Sequence, residues 1–156
     1  SNLYGPGQRL SKRQGLVSAV GHAALTRQPV SLYVPLDTIR DYLFAVDAGR
    51  MTADAMARLE AERAAGAGHR VIVKIFASEV ETTVASVLGA WRQSLRRPLR
   101  VALASSPAAA LQPRVLSFRS RVWPGLRGRP TQLPLGVEAV RQYQLGRMMV
   151  DGIVAA

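Results

Sequence analysis

Arginine is the residue whose type and placement could do chemistry in this chain of 156 residues. A guanidinium presents a planar fork of donors that matches phosphate oxygens. From Thr82 to Val137 the sequence has no aspartate or glutamate, and the same stretch holds a series of arginines: Arg92, Arg96, Arg97, Arg100, Arg114, Arg119, Arg121, Arg127 and Arg129. Together with the formal net charge of +11, this indicates a surface for nucleic acid or another phosphate-bearing ligand.

Aromatic residues are scarce around these arginines. A nucleic-acid-binding module normally interleaves aromatic and basic residues, so that bases can stack on the rings. Here the neighbouring aromatic residues are Trp91, Phe118 and Trp123. We therefore do not expect nucleic acid as the main partner, although a basic nucleic-acid-binding module stays open as an alternative.

The residues of other familiar reactive sites are missing or far apart. Cysteine is absent, which excludes a disulfide framework, a thiol nucleophile and a cysteine-ligated zinc site. His22 and His69 are widely separated, so we expect no metal site. Gly5-Pro6-Gly7 and Gly66-Ala67-Gly68 both lack the third glycine of a dinucleotide-binding fingerprint. No tyrosine has a lysine four residues later, and we expect no catalytic residue on this chain.

The hydrophobic pattern predicts helices that alternate with short strands, which is typical of an α/β domain, or of an α+β arrangement if the piece is isolated. The length of the chain suits one domain, residues 1–156. No apolar run could span a bilayer and no secretory leader is visible, so we expect a cytoplasmic protein. Helices are predicted over residues 15–28, 52–65, 78–95 and 136–150, and strands over 31–34, 39–46, 71–76 and 99–103.

Two of these predictions depend on specific local signals. The run Val71 to Phe76 is rich in β-branched residues, which predicts a strand buried in a parallel sheet. Ser78 has Glu81 three residues later, the pattern of a capping box, which predicts that a helix begins at Ser78.

Two segments resemble one protein family. Residues 1–8, SNLYGPGQ, resemble the S-N-x-Y-G-P-G-Q motif of extended short-chain dehydrogenases, the NAD-dependent epimerase/dehydratase family. Residues 40–47, RDYLFAVD, are similar to that family's R-D-Y-x-x-V-D-D segment, and Gln14 to Val17 between them match the usual helix start. The later match is looser. Ala48 stands where the family has a second aspartate, and its R-x-G-D segment has no clear counterpart.

The resemblance implies an incomplete enzyme. The family binds NAD(P) on an N-terminal Rossmann domain and a nucleotide sugar on a smaller C-terminal part, and its glycine fingerprint and Tyr-x-x-x-Lys pair precede the first motif. Residues 1–156 are thus expected to form the C-terminal, substrate-binding lobe, with the NAD- or NADP-binding Rossmann part missing. The start at Ser1 agrees with a truncated piece. Family members often pair, so the resemblance also implies a homodimer as one arrangement of the full-length protein.

The resemblance implies roles for individual residues. Asn2 would lie at the junction of cofactor and substrate and bind both, and Ser1 and Leu3 would also bind the cofactor. Arg40 would contact the substrate diphosphate, and Arg114 or Arg119 could take the place of the arginine in the missing R-x-G-D segment. Two alternatives remain open: an ion pair of Arg40 with Asp37 or Asp41, and a local turn bond for Asn2. A non-catalytic remnant of the fold is a further alternative.

Overall fold

The computed structural model describes residues 1–10, 15–68, 71–104 and 112–152, so Gln14 and His69 lie outside the described residues. Within the described ranges, no helix is both long and apolar enough to cross a membrane. Helices and short, mostly parallel strands alternate, which confirms the α/β class. The elements in chain order are β1 (Asn2–Tyr4), α1 (Leu16–Leu25), β2 (Val30–Leu32), β3 (Ile39–Phe44), α2 (Ala45–Ala64), β4 (Glu81–Thr83), α3 (Val84–Leu95), β5 (Val101–Leu103), β6 (Val115–Leu116), a 3-10 helix (Pro124–Arg127) and α4 (Leu133–Val150).

Strand β3 organises the larger sheet. Its first half pairs with β4 in antiparallel and with β6 in parallel orientation, and its second half pairs in parallel with β1. A second, two-stranded sheet joins β2 and β5 in parallel. These pairings connect distant parts of the chain, so that residues near positions 2, 40 and 115 meet in one sheet.

The core lies among helices α1, α3 and α4. Trp91 of α3 is completely buried, and its indole N–H donates to the carbonyl of Val17 in α1 at 2.9 Å. Gln144 of α4 donates its side-chain N–H to the carbonyl of Ser18 at 2.9 Å. Apolar side chains fill the space around these bonds: Tyr4, Val20, Val30, Leu32, Val84, Val87, Val137 and Val140. The predicted apolar face of the third helix is thereby confirmed from Val84 onward.

The strand predicted over residues 71–76 is not formed. Val71 and Val73 are 83% and 78% exposed, and no described strand pairs with the segment. At its middle, the ammonium of Lys74 instead donates to the hydroxyl of Ser120 at 2.8 Å and to the carbonyl of Val122 at 2.7 Å. The β-branched run favours a buried strand, but burial needs a neighbouring strand and a covering layer, and the described residues supply neither.

The predicted helix start at Ser78 is also wrong. Glu79 has a φ of +58°, a left-handed conformation that cannot be the first residue of a right-handed helix. The chain instead forms β4, and α3 begins at Val84, with the hydroxyl of Thr83 accepting from the N–H of Ser86 at 3.0 Å. Ser78 uses its hydroxyl in a tight turn, accepting from the N–H of Val80 at 3.1 Å.

Two other helices begin earlier than the sequence predicts. Helix α2 starts at Ala45, not Thr52, because the helix simply continues through Gly49, a residue whose cost in a helix is only about 1 kcal/mol. Met51 is buried by this extension. Helix α4 starts at Leu133, not Gly136, because Pro134 falls in the first turn, where a proline loses no helical hydrogen bond.

Candidate substrate-binding site

Strand β3 positions Arg40, the arginine for which the family resemblance implies contact with a substrate diphosphate. Arg40 is half-buried and lies opposite Thr82 of β4 and Leu116 of β6. Because side chains alternate along a strand, Arg40 and Tyr42 share one face of β3, whereas Asp41 points to the other face. This alternation separates the arginine from its acidic neighbour.

The guanidinium of Arg40 contacts the chain just before β6. Its Nη1 donates to the carbonyl of Ile39 at 2.7 Å and to the carbonyl of Arg114 at 3.4 Å. Its Nη2 donates to the side-chain oxygen of Gln112 at 3.3 Å. All these acceptors are neutral, and no carboxylate among the described residues forms an ion pair with Arg40.

Arg114 lies next to Arg40 but has a different electrostatic setting. Its carbonyl accepts from the N–H of Ile39 at 2.9 Å, which fixes its backbone beside β3. Its guanidinium forms an ion pair with Asp37, and both side chains are largely exposed. Asp37 therefore pairs with Arg114 and not with Arg40. The pair of arginines and this single carboxylate together leave one net positive charge at this edge of the sheet.

Asp41 has a structural role that the sequence did not indicate. The side chain is completely buried, and its two carboxylate oxygens accept from the N–H of Ser78 at 2.9 Å and from the N–H of Glu79 at 2.7 Å. The sequence carried one signal of this role, an aspartate at a core-facing position of a strand. A buried carboxylate requires hydrogen-bond donors around it. Asp41 is thus committed to the 78–79 turn, so neither acid considered as a partner for Arg40 pairs with it.

The first motif forms strand β1 at an edge of the sheet. Asn2 lies opposite Tyr42, and its side-chain N–H donates to the carbonyl of Asp41 at 3.3 Å. This bond crosses between strands, so it is not the local turn bond considered as an alternative. Ser1 and Leu3 are exposed. The structure therefore places Asn2 of β1 beside β3, the strand that carries Arg40, and Arg114, just before β6, adjoins the same strand.

Tyr42 is a packing residue beside this site. Burial raises the pKa of its phenol to about 12, and the nearby Arg40 charge opposes part of that rise. Its ring meets the ring of Tyr4 edge-on, with 6.3 Å between centroids. A phenol with this pKa stays protonated at neutral pH, and the ring contact with Tyr4 makes Tyr42 part of the packing beside the site.

Two of the aromatic residues near the arginines, Trp91 and Trp123, donate hydrogen bonds within the protein. Trp91 is completely buried, which prevents it from stacking on a base. Trp123 donates its indole N–H to a carboxylate oxygen of Glu62 in α2 at 3.0 Å. Both tryptophans of the basic stretch thus have structural contacts within the protein.

No protein-family model matches the sequence, and neither does any curated protein. Solved structures do match. A UDP-N-acetylglucosamine 4-epimerase from Methanobrevibacter ruminantium in complex with UDP-N-acetylmuramic acid superposes with a TM-score of 0.74 at 12% identity, over 94% of this chain and 44% of that one. The chain has the fold of part of a UDP-sugar 4-epimerase. This confirms the fold implied by the resemblance to the epimerase/dehydratase family.

Two further structures agree. The UDP-glucose 4-epimerase of Thermus thermophilus in complex with NAD has a TM-score of 0.72 at 19% identity, over 93% of this chain and 44% of that one. The UDP-glucuronic acid 4-epimerase of Bacillus cereus in complex with UDP-glucuronic acid and NAD has a TM-score of 0.69 at 17% identity, over 92% and 43%. The chain spans less than half the length of these epimerases, which is consistent with a C-terminal portion.

Proposed function

We propose that this chain is the substrate-side lobe of a longer NAD(P)-dependent nucleotide-sugar epimerase or dehydratase, and that it binds the diphosphate of a sugar nucleotide. The observation that carries the proposal is Arg40, a half-buried guanidinium on the central strand whose described partners are all neutral. The solved structures with this fold include an epimerase in complex with UDP-glucuronic acid and NAD, which supports the same substrate class.

Each residue has a distinct part in this proposal. Arg40 would bind diphosphate oxygens directly, since charge-assisted bonds to phosphate are among the strong ones. Arg114 would add attraction at longer range, reduced by its ion pair with Asp37. Asn2 would keep β1 against β3, so that the exposed residues Ser1 and Leu3 face the cofactor side.

This chain would bind and orient the substrate, and the hydride step would belong to the cofactor. When bound, NAD in such an enzyme takes a hydride from a sugar carbon and returns it. The present sequence has neither a dinucleotide fingerprint nor a Tyr-x-x-x-Lys pair, so we assign no proton transfer to its residues. We accordingly expect that residues 1–156 alone neither bind NAD tightly nor turn over a sugar nucleotide.

Arg40→Ala in the longest product of the natural gene tests the proposal. Loss of a charge-assisted bond costs about 1.5–3 kcal/mol, so the Kd for a UDP-sugar should rise by about 10- to 150-fold, while the Kd for NAD stays unchanged. Calorimetric titration measures both. Arg92→Ala is the matched control, because Arg92 is an exposed arginine on α3 in the same stretch without acidic residues. Equal losses for UDP-sugar and NAD, or equal effects of the two variants, would contradict the diphosphate role.

A further inference from the structure

Three arginines line an open cleft of about 170 Å³ beyond the C-terminal ends of helices α1 and α3. Arg27 follows α1, Arg97 and Arg100 follow α3, and Gln28 adds a neutral amide beside them. The strands next to this cleft are β2 and β5 of the two-stranded sheet, whereas Arg40 lies on the larger sheet. The arginine cleft is therefore separate from the candidate diphosphate site.

The fold holds the two segments of the cleft side by side. Strands β2 and β5 run in parallel with Val30 opposite Val101, and the N–H of Val30 donates to the carbonyl of Arg100 at 2.8 Å. Arg97 links the two helix ends, because its Nη2 donates to the carbonyl of Ala24 near the end of α1. A guanidinium has several further N–H donors, so this bond leaves most of them available to a ligand.

No carboxylate of the described residues compensates the charge of the cleft. The side chains of Arg27 and Arg100 form neither a hydrogen bond nor an ion pair with any residue that the structure describes. The sequence explains this, because residues 1–36 and 82–137, which supply the whole lining, contain no aspartate or glutamate. Like charges that are held close together repel each other, so an anion bound among them would stabilise the cleft.

The net charge of the cleft suits a phosphate dianion. The three guanidiniums contribute three positive charges. The C-terminal end of a helix carries about −0.5 charge, and the ends of α1 and α3 together reduce the total to about +2. Glu138 of α4 also bonds to α3, but Arg141 pairs with its carboxylate. A phosphomonoester carries about −1.5 to −2 at pH 7, and its oxygens match the donor fork of a guanidinium.

We propose that the arginine cleft is an additional anion site, which binds inorganic phosphate or the phosphoryl group of a small phosphomonoester. Pockets that enclose a whole small molecule measure about 300–1,000 Å³, so this cleft would hold the phosphoryl group and leave the rest of a ligand outside. Nucleic acid suits the cleft less well. Its phosphodiesters carry one charge each, and the remaining described lining residues, Ala24, Pro98 and Leu99, offer no ring on which a base could stack.

Heteronuclear NMR of the 156-residue chain tests this site at constant ionic strength, since salt screens exposed charges. Inorganic phosphate should shift the amide signals of residues 27–28 and 99–100 saturably, with a Kd of about 1 mM or tighter. Methyl phosphate should bind equally well, and the monoanion dimethyl phosphate at least about tenfold more weakly. Arg27→Ala and Arg100→Ala should each weaken phosphate binding by about tenfold or more. Neither side chain has a partner in the described fold, so the melting temperature without phosphate should not fall.

Arg63→Ala is the matched control, because Arg63 is an exposed arginine in the last turn of another helix, α2. It should leave phosphate binding unchanged, and a loss equal to that of Arg100→Ala would reduce the effect to general positive charge and overturn the site. Absence of saturable shifts at about 10 mM phosphate also overturns it, as does equal binding of methyl and dimethyl phosphate. A single-stranded oligonucleotide that shifts the same signals at lower concentration than phosphate would overturn the proposal in favour of nucleic acid.

The arginine cleft does not depend on the proposed function. Arg40→Ala should leave the phosphate-induced shifts at residues 27–28 and 99–100 intact, even where it weakens the binding of a UDP-sugar. Phosphate binding that survives both Arg27→Ala and Arg100→Ala but is lost in Arg40→Ala would overturn the cleft and leave the diphosphate role standing. Intact cleft binding without any effect of Arg40→Ala on UDP-sugar affinity would retain the cleft and reject the diphosphate role.

Discussion

Replacing Asp41 by asparagine tests the buried carboxylate that anchors the 78–79 turn. In the native protein it accepts two backbone hydrogen bonds, each contributing about 1.5–3 kcal/mol when the acceptor is charged. Asparagine keeps one neutral bond of about 1 kcal/mol and turns its NH2 toward the other N–H, which is then left unpaired at a cost of about 1–3 kcal/mol. Because the asparagine side chain is neutral, its burial costs less than that of a carboxylate, and this difference offsets part of the loss. We expect the free energy of unfolding to fall by about 2–4 kcal/mol.

Urea unfolding followed by circular dichroism measures this loss. For a chain of this size a loss of about 3 kcal/mol lowers the melting temperature by about 6–12 °C. Asp37→Asn is the control, since it removes an exposed carboxylate from an ion pair with Arg114 and should cost less than about 1 kcal/mol. If Asp41→Asn costs no more than Asp37→Asn, the anchoring role of Asp41 is refuted.

Two other predictions concern the helix packing. Gly21→Ala should lower the free energy of unfolding by about 1–3 kcal/mol, because the new methyl group would overlap the ring of Trp91. Gly146→Ala, at an open helical position, should instead stabilise by up to about 1 kcal/mol, and urea titration distinguishes the two. Hydrogen bonding from Arg141, more than from Ser94, lowers the pKa of Glu138 from 4.5 to about 2. Its carboxylate therefore stabilises the protein above pH 4.5, and this contribution is lost as the pH falls from about 4.5 to 2. Glu138→Gln should cost about 1 kcal/mol at pH 7 and progressively less across that range, and a constant cost would contradict the assignment.

The sequence predicts the elements whose signals are local. The apolar spacing of α3 and the terminal helix is confirmed, since periodicity reports a buried face directly. The start of α3 could not be predicted, because Asp41, far away in the chain, binds the 78–79 turn and Glu79 adopts a left-handed conformation there. The capping-box pattern of Ser78 and Glu81 is local, so it cannot report the carboxylate of Asp41 on β3.

The candidate site was predicted in part. The family resemblance singles out Asn2, Arg40 and Arg114, and the structure brings all three to the larger sheet. Their substrate and cofactor roles remain predictions. The ion pair of Arg114 with Asp37 could not be predicted, because it depends on the parallel pairing of β3 and β6, two short strands with no pattern that specifies their register.

The position of α4 has a consequence for how the protein is made. This helix is the last described element of the chain, yet it closes the core against α1, with Gln144 bonding to Ser18 and Val137 and Val140 completely enclosed. During synthesis, α1 and α3 emerge from the ribosome with their apolar faces uncovered, and must wait until α4 has been translated. A premature stop before Leu133 would therefore release a chain prone to aggregation, even though every strand of the described residues had already been synthesised.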